Sequence, residues 1–356
     1  MITIALTYRN RDLRIVKNCL DSLQNQTQKN FSVVLVDYGS EDVYAEQLAT
    51  LAANYNFITV IDCPVSGQLW NKSRAINIAL KQCDTSYFIV GDIDLIFHPA
   101  FIQKACELAN MDEVHYFQYG FLVKEESLAN KLFSDYEVAF LGNNEVTGTT
   151  LFPANKLKEV NGYDEFYHGW GAEDTDIHIR LKKAGLPIYF YDVAILVKHQ
   201  WHPKAYRSKN SPAPFHSQQE RVNHSYMQLT LNNNITKANI KEDWGLIPLD
   251  VVYEKLFNKP HYLIEIDCVS YKVDALLAQL KNFNGELIGI VIKDAAKKVK
   301  IKQQFKKLLG KKYVVYMEME DVNNRLLEEI INNYRNLPYQ YTFNREKNEI
   351  NLRILF

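Results

Sequence analysis

The sequence predicts an α/β fold whose first part is built on a parallel β-sheet. Short apolar runs alternate with segments whose apolar residues recur at helical spacing, which is the order of a β-α-β chain. The run YFIVGDIDLIF, residues 87–97, is almost continuously apolar, as strands buried on both faces are. Polar residues follow several of these runs. Because open α/β sheets bind ligands at the carboxyl ends of their strands, we expect a binding site there.

The strands and helices follow one another in a regular order. Strands are predicted at Ile2–Thr7, Phe31–Val36, Phe57–Ile61 and within Tyr87–Phe97. Intervening helices are predicted from three sets of apolar residues: Leu13, Val16, Leu20 and Leu23; Tyr44, Leu48, Leu51 and Tyr55; Ile76, Ala79, Leu80 and Cys83. Another strand is predicted at Pro187–Val197, followed by a long loop at Pro203–Ser225 that could fold over a substrate. Towards the end of the chain, strands are predicted at residues 261–268, 286–293 and 312–320, and a hairpin is predicted at residues 339–356. These elements predict a first domain over residues 1–240 and a small α/β domain of unassigned role over residues 245–356.

Composition excludes several classes of protein. The chain has 356 residues, 47% of them hydrophobic and 23% charged, with a formal net charge of -1, so no nucleic-acid partner is expected. Five scattered cysteines favour reduced thiols over a disulfide framework. No leader pattern or membrane-length apolar run is present, so we expect a cytoplasmic protein. The lysines between residues 293 and 312 form a basic face. This face is either simply solvated or a binding surface for an acidic glycan or for the inner face of a membrane, and in the last case the protein would associate peripherally with the membrane.

Two carboxylates end the central apolar run. In extended backbone, residues two apart point to the same side, so Asp92 and Asp94 are expected to face one way together. Their repulsion then requires a shared proton or a cation, and a hard divalent metal fits best. The alternative is a pair of solvated turn aspartates.

Basic residues are the candidates for holding phosphate. The segment TYRNR after the first strand lacks a glycine-rich phosphate loop, which excludes the dinucleotide and P-loop patterns. Candidates for binding a diphosphate are therefore Arg9, Arg11, Lys72 and Arg74, each of which is alternatively a solvated surface base.

A second acidic group opens a later predicted helix. Glu173, Asp174 and Asp176 lie in its first turn, where acids also simply complement the helix dipole. Gly169 and Gly171 flank Trp170, and this arrangement brings backbone close to a ligand beside an exposed ring, as in sugar-binding platforms.

Together these motifs resemble those of GT-A glycosyltransferases, near the family-two bacterial polysaccharide enzymes, the chondroitin polymerases and the galactosyltransferase C-terminal group. The resemblance covers about residues 1–210. It rests on TYRNR, Asp37 before Gly39-Ser40, NKSRAIN at 71–77, GDIDL at 91–95, GWGAED at 169–174 and the histidine of VKHQWHP.

The resemblance implies roles for individual residues. Implied nucleotide-binding residues are Thr7, Tyr8, Arg9, Asp37, Arg74, Asn77 and Asp92. Asp94 is implied to bind Mn²⁺ or Mg²⁺, with Asp92 and His199 completing the metal shell and His202 in reserve. Asp174 is implied to be the catalytic base, Glu173 a second catalytic-site residue that holds the sugar or acceptor, and Trp170 and Gly171 part of the acceptor site.

The implied activity is metal-dependent, inverting transfer from a UDP-sugar to a glycan or lipid-linked saccharide, in bacterial surface polysaccharide synthesis. Two alternatives stay open: a retaining enzyme similar to GalNAc transferases, and a non-catalytic sugar-binding protein on the same fold. A sugar-nucleotide pyrophosphorylase is disfavoured because its glycine-rich N-terminal loop is absent.

Overall fold

The computed structural model describes residues 1–203, 214 and 218–356. The chain folds as two compact units. The first comprises Met1–Cys63, Trp70–Lys204 and Glu220–Ile247, and the second comprises Pro64–Leu69, Ala205–Gln219 and Pro248–Phe356.

The first unit contains eleven of the described strands and eight of the described helices. The strands are β1 (Ile2–Tyr8), β2 (Phe31–Tyr38), β3 (Ile58–Cys63), β4 (Tyr87–Asp92), β5 (Leu95–Phe97), β6 (Val114–Phe117), β7 (Tyr119–Phe121), β8 (Phe140–Leu141), β9 (Thr150–Pro153), β10 (Ile188–Tyr191) and β11 (Val197–His199). The helices are α1 (Leu13–Gln24), α2 (Asp42–Ala52), α3 (Lys72–Gln82), α4 (Phe101–Leu108), α5 (Lys124–Leu128), α6 (Ala154–Glu159), α7 (Glu173–Lys183) and α8 (Gln219–Asn232).

A seven-stranded sheet forms the centre of this unit, in the order β10-β6-β9-β4-β1-β2-β3. The predicted strands β1, β2, β3 and β4 pair in parallel, as expected. The sheet as a whole is mixed, because β9 runs antiparallel between β4 and β6. The apolar runs that predicted β1, β2 and β4 are buried in the core, where Leu6, Leu35 and Ile89 are fully inaccessible.

Three sequence-based predictions for this unit need correction. The Tyr87–Phe97 run is not one strand, because Ile93 and Asp94 form a turn between β4 and β5. The Pro187–Val197 run is likewise divided into β10 and the start of β11. The predicted loop 203–225 lies partly outside the described residues, and its described end belongs to α8.

A smaller sheet lies beside the carboxyl end of β4, in the order β5-β11-β7-β8. Its strands β5 and β11 pair antiparallel, with His199 opposite Leu95. This pairing brings a distant part of the sequence to the residue that follows Asp94.

The second unit is a four-stranded sheet with helices. Its elements are α9 (Asp250–Tyr253), β12 (Tyr262–Asp267), α10 (Ser270–Leu280), β13 (Leu287–Lys293), α11 (Lys297–Leu308), α12 (Met319–Glu329), β14 (Tyr339–Asn344) and β15 (Glu349–Leu355). The strand order is β12-β13-β15-β14, and β14 and β15 form the predicted hairpin. The strand predicted at 312–320 is wrong: this segment makes one isolated bridge, between Tyr316 and Val269, and then enters α12. This segment cannot pair with β13, because β12 and β15 already pair with the two edges of that strand.

Among the described residues, no helix is both long enough and apolar enough to cross a membrane.

Candidate active site

The carboxyl ends of β1, β2 and β4 bring four predicted site residues to one edge of the sheet. These strands are adjacent, so Thr7 lies opposite Asp92 on β4, and Tyr8 lies opposite Asp37 on β2. Thr7 and Asp37 are buried, whereas Asp92 is partly exposed. Adjacent parallel strands therefore place polar groups side by side at the edge where α/β sheets bind ligands.

Tyr8 contributes to this edge through its backbone. Its ring is fully buried in the core of the unit, and its hydroxyl donates to the Arg11 carbonyl at 3.1 Å. Burial, reinforced by Asp37, raises the pKa of Tyr8 to about 12. Because the side chain is buried, only the backbone N–H and carbonyl groups of Tyr8 are left for the predicted contact with a nucleotide.

Asp37 is held by a tight turn. The Ser40 backbone N–H and hydroxyl donate to its Oδ1 at 3.1 and 2.6 Å, and Gly39 between them adopts a left-handed φ of 79°. Burial raises the pKa of Asp37 to about 6, although the Ser40 bonds and the charge of Arg9 oppose this shift. The carboxyl group is therefore preorganised and only weakly acidic.

Asp92 and Asp94 do not face one partner together. The expectation of a shared side assumed extended backbone, but the turn at Ile93–Asp94 rotates the second carboxylate away. Asp92 Oδ1 lies 3.0 Å from Lys72 Nζ, and its Oδ2 accepts from the Tyr119 hydroxyl at 3.4 Å. The two carboxylates thus belong to two neighbouring parts of the site.

Asp94 is surrounded by cationic and imidazole groups. Its Oδ2 lies 3.1 Å from His202 Nε2 and 3.3 Å from Arg11 Nη2, and its Oδ1 lies 3.5 Å from His199 Nε2. Burial alone would raise the pKa of Asp94, but His199, His202 and Arg11 hold it well below its usual range. Asp94 is therefore a carboxylate at neutral pH.

The fold supplies both histidines from the end of β11. The antiparallel register sets His199 beside Leu95, and the Gln200 backbone N–H donates to the Asp94 carbonyl at 2.9 Å. His202 follows three residues later and, measured from Nε2 to the nearer Asp94 oxygen, is closer than His199. Both the primary and the reserve histidine of the sequence prediction are thus brought to Asp94.

The donor set of Asp94, His199 and His202 fits a divalent cation. One ligand atom from each lies within 4.8 Å of the others, and Asp92 is not part of this cluster. Asp94 Oδ1 is buried without a hydrogen-bond partner among the described residues, which is costly unless a ligand satisfies it. Carboxylate with two imidazoles suits Mn²⁺ or another transition metal better than Mg²⁺, which prefers oxygen ligands.

Lys72 connects Asp92 to the second acidic group. Asn71 caps α3 by accepting from the Arg74 backbone N–H, which places Lys72 as the first helical residue. Its Nζ lies 3.0 Å from both Asp92 Oδ1 and Asp174 Oδ2, and 3.6 Å from Glu173 Oε1. Burial alone would lower the pKa of Lys72, but the three carboxylates raise it well above its usual value.

The backbone before α7 is strongly constrained. Gly169, Gly171 and Ala172 have φ values of 75°, 99° and 77°, and a left-handed conformation at alanine is strained. Trp170 within this turn is 44% exposed. Strain of this kind is tolerated where the surrounding structure must place specific groups, here the first turn of α7.

Asp174 has the environment of a proton acceptor. Burial raises its pKa to about 7; Lys72 opposes this shift, and Glu173 and Asp92 add to it. The single ammonium group of Lys72 cannot neutralise three carboxylates, so the net effect on the pKa of Asp174 is the increase caused by burial. Asp174 Oδ1 is buried and has no hydrogen-bond partner among the described residues, which is costly unless a ligand satisfies it.

Arg74 and Asn77 lie in the packing between α3 and the 161–165 segment. Asn77 donates to the Tyr163 carbonyl at 2.8 Å and to Glu165 Oε1 at 2.9 Å, and accepts from the Tyr163 N–H. Arg74 is buried with its Nε 4.0 Å from Glu165 Oε2. These contacts indicate a scaffolding role, and the nucleotide contacts of both residues stay predictions.

Sequence reasoning missed two residues and the full role of a third. Tyr119 contacts Asp92, and a Cβ at Gly148 would lie 2.8 Å from the Tyr119 hydroxyl and 2.9 Å from Asp92 Oδ2. Lys72 was identified only as a phosphate-binding candidate. The one available signal was its position in NKSRAIN, because no local pattern reveals a contact with residues 92 and 174.

Two family models match the chain. Residues 3–158 match glycosyl transferase family 2, and residues 130–202 match the model described as the N-terminal domain of galactosyltransferase. The first match contains β1, β2 and β4 with their polar ends, and the second contains GWGAED and His199. Residues 3–202 of this chain are thus similar, in two overlapping parts, to glycosyltransferase domains.

Known relatives are distant. The chain is 22% identical over 190 residues to chondroitin sulfate synthase 3 of Mus musculus, covering 49% of this chain and 21% of that protein. It is 24% identical over 267 residues to chondroitin synthase of Escherichia coli, covering 69% of this chain and 36% of that protein. The chain thus spans about a fifth and about a third of their lengths. Among solved structures, S. aureus TarS 1-349 in complex with UDP-GlcNAc is similar, with 17% identity, a TM-score of 0.49 and 68% coverage of each chain.

Proposed function

We propose that this glycosyltransferase is a metal-dependent, inverting enzyme that moves a sugar from a UDP-sugar to a saccharide or lipid-linked saccharide. The observation that carries the proposal is the position of Lys72, 3.0 Å from both Asp92 and Asp174. The Lys72 ammonium group thus connects the end of β4, where the donor is proposed to bind, to α7, which carries the proposed base Asp174. The chondroitin synthases among the relatives support a glycan acceptor.

The donor nucleotide binds at the ends of β1 and β2. Thr7, the Tyr8 backbone and Asp37 form the polar edge for the nucleoside, and Arg9 supplies positive charge beside Asp37. A carboxyl group with a pKa near 6, held by Ser40, is suited to hydrogen bonding with a neutral heterocycle. Arg11 pairs with Asp94 here and Lys72 pairs with Asp92, and both cations are near enough to exchange these two partners for phosphate oxygens while Lys72 keeps its contact with Asp174.

The cation is held by Asp94, His199 and His202, with Mn²⁺ preferred over Mg²⁺ by the two imidazoles. When bound, it supplies positive charge that stabilises the departing nucleoside diphosphate. Arg11 lies 3.3 Å from Asp94 and assists this neutralisation from the protein side.

Asp174 accepts the proton of the acceptor hydroxyl. Its free Oδ1 receives the hydrogen bond, while Lys72 holds Oδ2 and fixes the orientation of the carboxylate. Glu173 projects about 100° away around the helix and holds the donor sugar or the acceptor by hydrogen bonds. Trp170 offers an exposed ring for the acceptor sugar. Attack assisted by a base on the face opposite the diphosphate inverts the anomeric carbon.

Two measurements test this proposal. Isothermal titration with UDP, with and without Mn²⁺, should show metal-dependent binding, and a screen of UDP-sugars with saccharide acceptors should give metal-dependent transfer. NMR of the first-formed glycoside from an α-linked donor should show a β linkage. An α product would replace inversion by the retaining alternative, and UDP binding without turnover of any donor would favour the sugar-binding alternative. Absence of Mn²⁺-dependent UDP binding would overturn the proposal.

We also propose a place in bacterial surface polysaccharide synthesis at the cytoplasmic side of the membrane. The relatedness to an Escherichia coli chondroitin synthase supports this assignment. Deletion of the gene in its host, followed by analysis of cell-surface glycans, should remove or shorten one saccharide.

A further inference from the structure

Helix α11 in the second unit has an unusual surface. Eight lysines lie between residues 297 and 312, at positions 297, 298, 300, 302, 306, 307, 311 and 312, and no acidic residue occurs from Ala295 to Met317. None of the residues of α11 is buried. A helix with this composition does not contribute to the core of its unit.

The apolar side of α11 faces solvent. Ile301, Phe305 and Leu308, at spacings of four and three residues, form one stripe, and their exposed fractions are 41%, 61% and 82%. The polar side faces the unit instead: Lys300 Nζ lies 2.7 Å from Asp294 Oδ1, and Gln303 Oε1 accepts from the Val314 backbone N–H at 3.1 Å. This is the reverse of a surface helix, whose apolar stripe faces the core.

We propose that the exposed face of α11 docks on a membrane surface that carries anionic headgroups. On the helix surface Lys298 adjoins Ile301 and Lys302 adjoins Phe305, so apolar and cationic groups occupy one face. Such a helix lies in the interface, with its apolar residues in the acyl boundary and its lysines at the headgroups. Leu309 and Tyr313, 67% and 41% exposed, extend the apolar surface beyond the helix end.

Charge and polarity favour a lipid surface over other occupants. A second copy of this chain would bring the same lysines together, and their repulsion opposes such pairing. An acidic polysaccharide would match the lysines but leave Ile301, Phe305 and Leu308 in water. An anionic lipid surface satisfies both groups. The inference concerns the second unit only and does not depend on the proposed reaction.

The test uses the full chain and vesicles of phosphatidylcholine, with or without phosphatidylglycerol, in a co-sedimentation assay. Binding should require phosphatidylglycerol and weaken at high salt. Each lysine near the surface contributes about fivefold, so Lys298→Gln with Lys302→Gln should lower the partition coefficient roughly 30-fold. Lys281→Gln with Lys347→Gln, which removes the same charge from exposed positions outside α11, should leave it unchanged.

A second variant tests the apolar contribution. Phe305→Ser with Leu308→Ser should lower the partition about tenfold or more, whereas Leu132→Ser with Val193→Ser, two exposed positions in the first unit, should not. Circular dichroism and thermal melting check that each variant is folded. Equal binding to neutral vesicles, retention on heparin without vesicle binding, self-association through α11 in light scattering, or no vesicle binding by the parent would each overturn the inference.

Discussion

Lys72 Nζ lies 3.0 Å from Asp174 Oδ2, so the first residue of α3 holds a carboxylate in the first turn of α7. The same ammonium is 3.0 Å from Asp92 Oδ1 at the end of β4. The consecutive elements α3 and β4 and the distant helix α7 are therefore joined by one largely buried cation. We expect Lys72 to orient both carboxylates at once.

Replacement of Asp174, the proposed base, should separate catalysis from binding. Asp174→Asn keeps the shape of the side chain but removes its ability to accept a proton, so kcat should fall roughly 100-fold or more. The KM for the donor should change little. Steady-state kinetics with a UDP-sugar and a saccharide acceptor measure both constants. Glu173→Gln serves as the comparison and should raise KM more than it lowers kcat; a normal kcat for Asp174→Asn would exclude this residue as the base.

The pH dependence of kcat should report the ionisation of Asp174. A base acts only when ionised, and burial raises the pKa of Asp174 to about 7, so kcat should rise with pH through neutrality and level off above it. Lys72→Met removes the charge that favours the ionised form and should shift this inflection upwards by about one pH unit or more. Lys72→Arg should largely restore the parent profile. An inflection unmoved by Lys72→Met would show that the lysine does not act through the base.

The two histidines near Asp94 should contribute separately to cation binding. His199→Gln and His202→Gln should each weaken Mn²⁺-supported UDP binding, by roughly 10- to 100-fold, because each removes one nitrogen ligand from a three-residue set. Titration calorimetry gives the affinities. His98→Gln, at a histidine that accepts from the Ala100 backbone N–H, is the control. Unchanged affinity in both variants would exclude this cluster as the cation site.

Gly148 should be required because it lies against Asp92. A methyl group there would be 2.8 Å from the Tyr119 hydroxyl and 2.9 Å from Asp92 Oδ2, so both side chains must move. Gly148→Ala should lower kcat/KM roughly 10- to 100-fold. Gly289→Ala introduces milder crowding, 3.1 Å from Leu263 Cδ1 and Pro260 Cγ, away from any predicted site residue. If both variants have equal activity and equal thermal stability, the space beside Asp92 is not needed.

Asp176 should be a structural residue, unlike Asp174. Its Oδ2 accepts from Arg180 Nε at 2.7 Å and its Oδ1 from the Tyr167 hydroxyl at 3.0 Å, and both ions are inaccessible to solvent. Arg180→Leu leaves a buried carboxylate unpaired and should lower the free energy of unfolding by roughly 3–5 kcal/mol. Urea denaturation measures this loss, with Lys182→Leu as the exposed control. A loss below about 1 kcal/mol, the value of a surface ion pair, would contradict the assignment.

Local patterns in the sequence determined many elements of both units. The apolar runs of β1, β2 and β4, the alternating hairpin β14–β15 and the helix at Glu173–Lys183 all follow from periodicity and flanking residues, and the structure confirms them. The order of motifs was also sufficient to indicate the glycosyltransferase family, because each motif lies at the end of a predictable element.

Only the tertiary structure decided how the polar residues are grouped. The turn at Ile93–Asp94 separates Asp92 from Asp94, and the pairing of β5 with β11 brings both histidines to Asp94. Likewise, neighbouring acids of α7 acquire different environments, since Asp174 meets Lys72 and Asp176 meets Arg180. The physical reason is that periodicity reports which side of an element is buried, whereas ion pairs and ligand sets depend on strand register and on contacts between residues far apart in the chain.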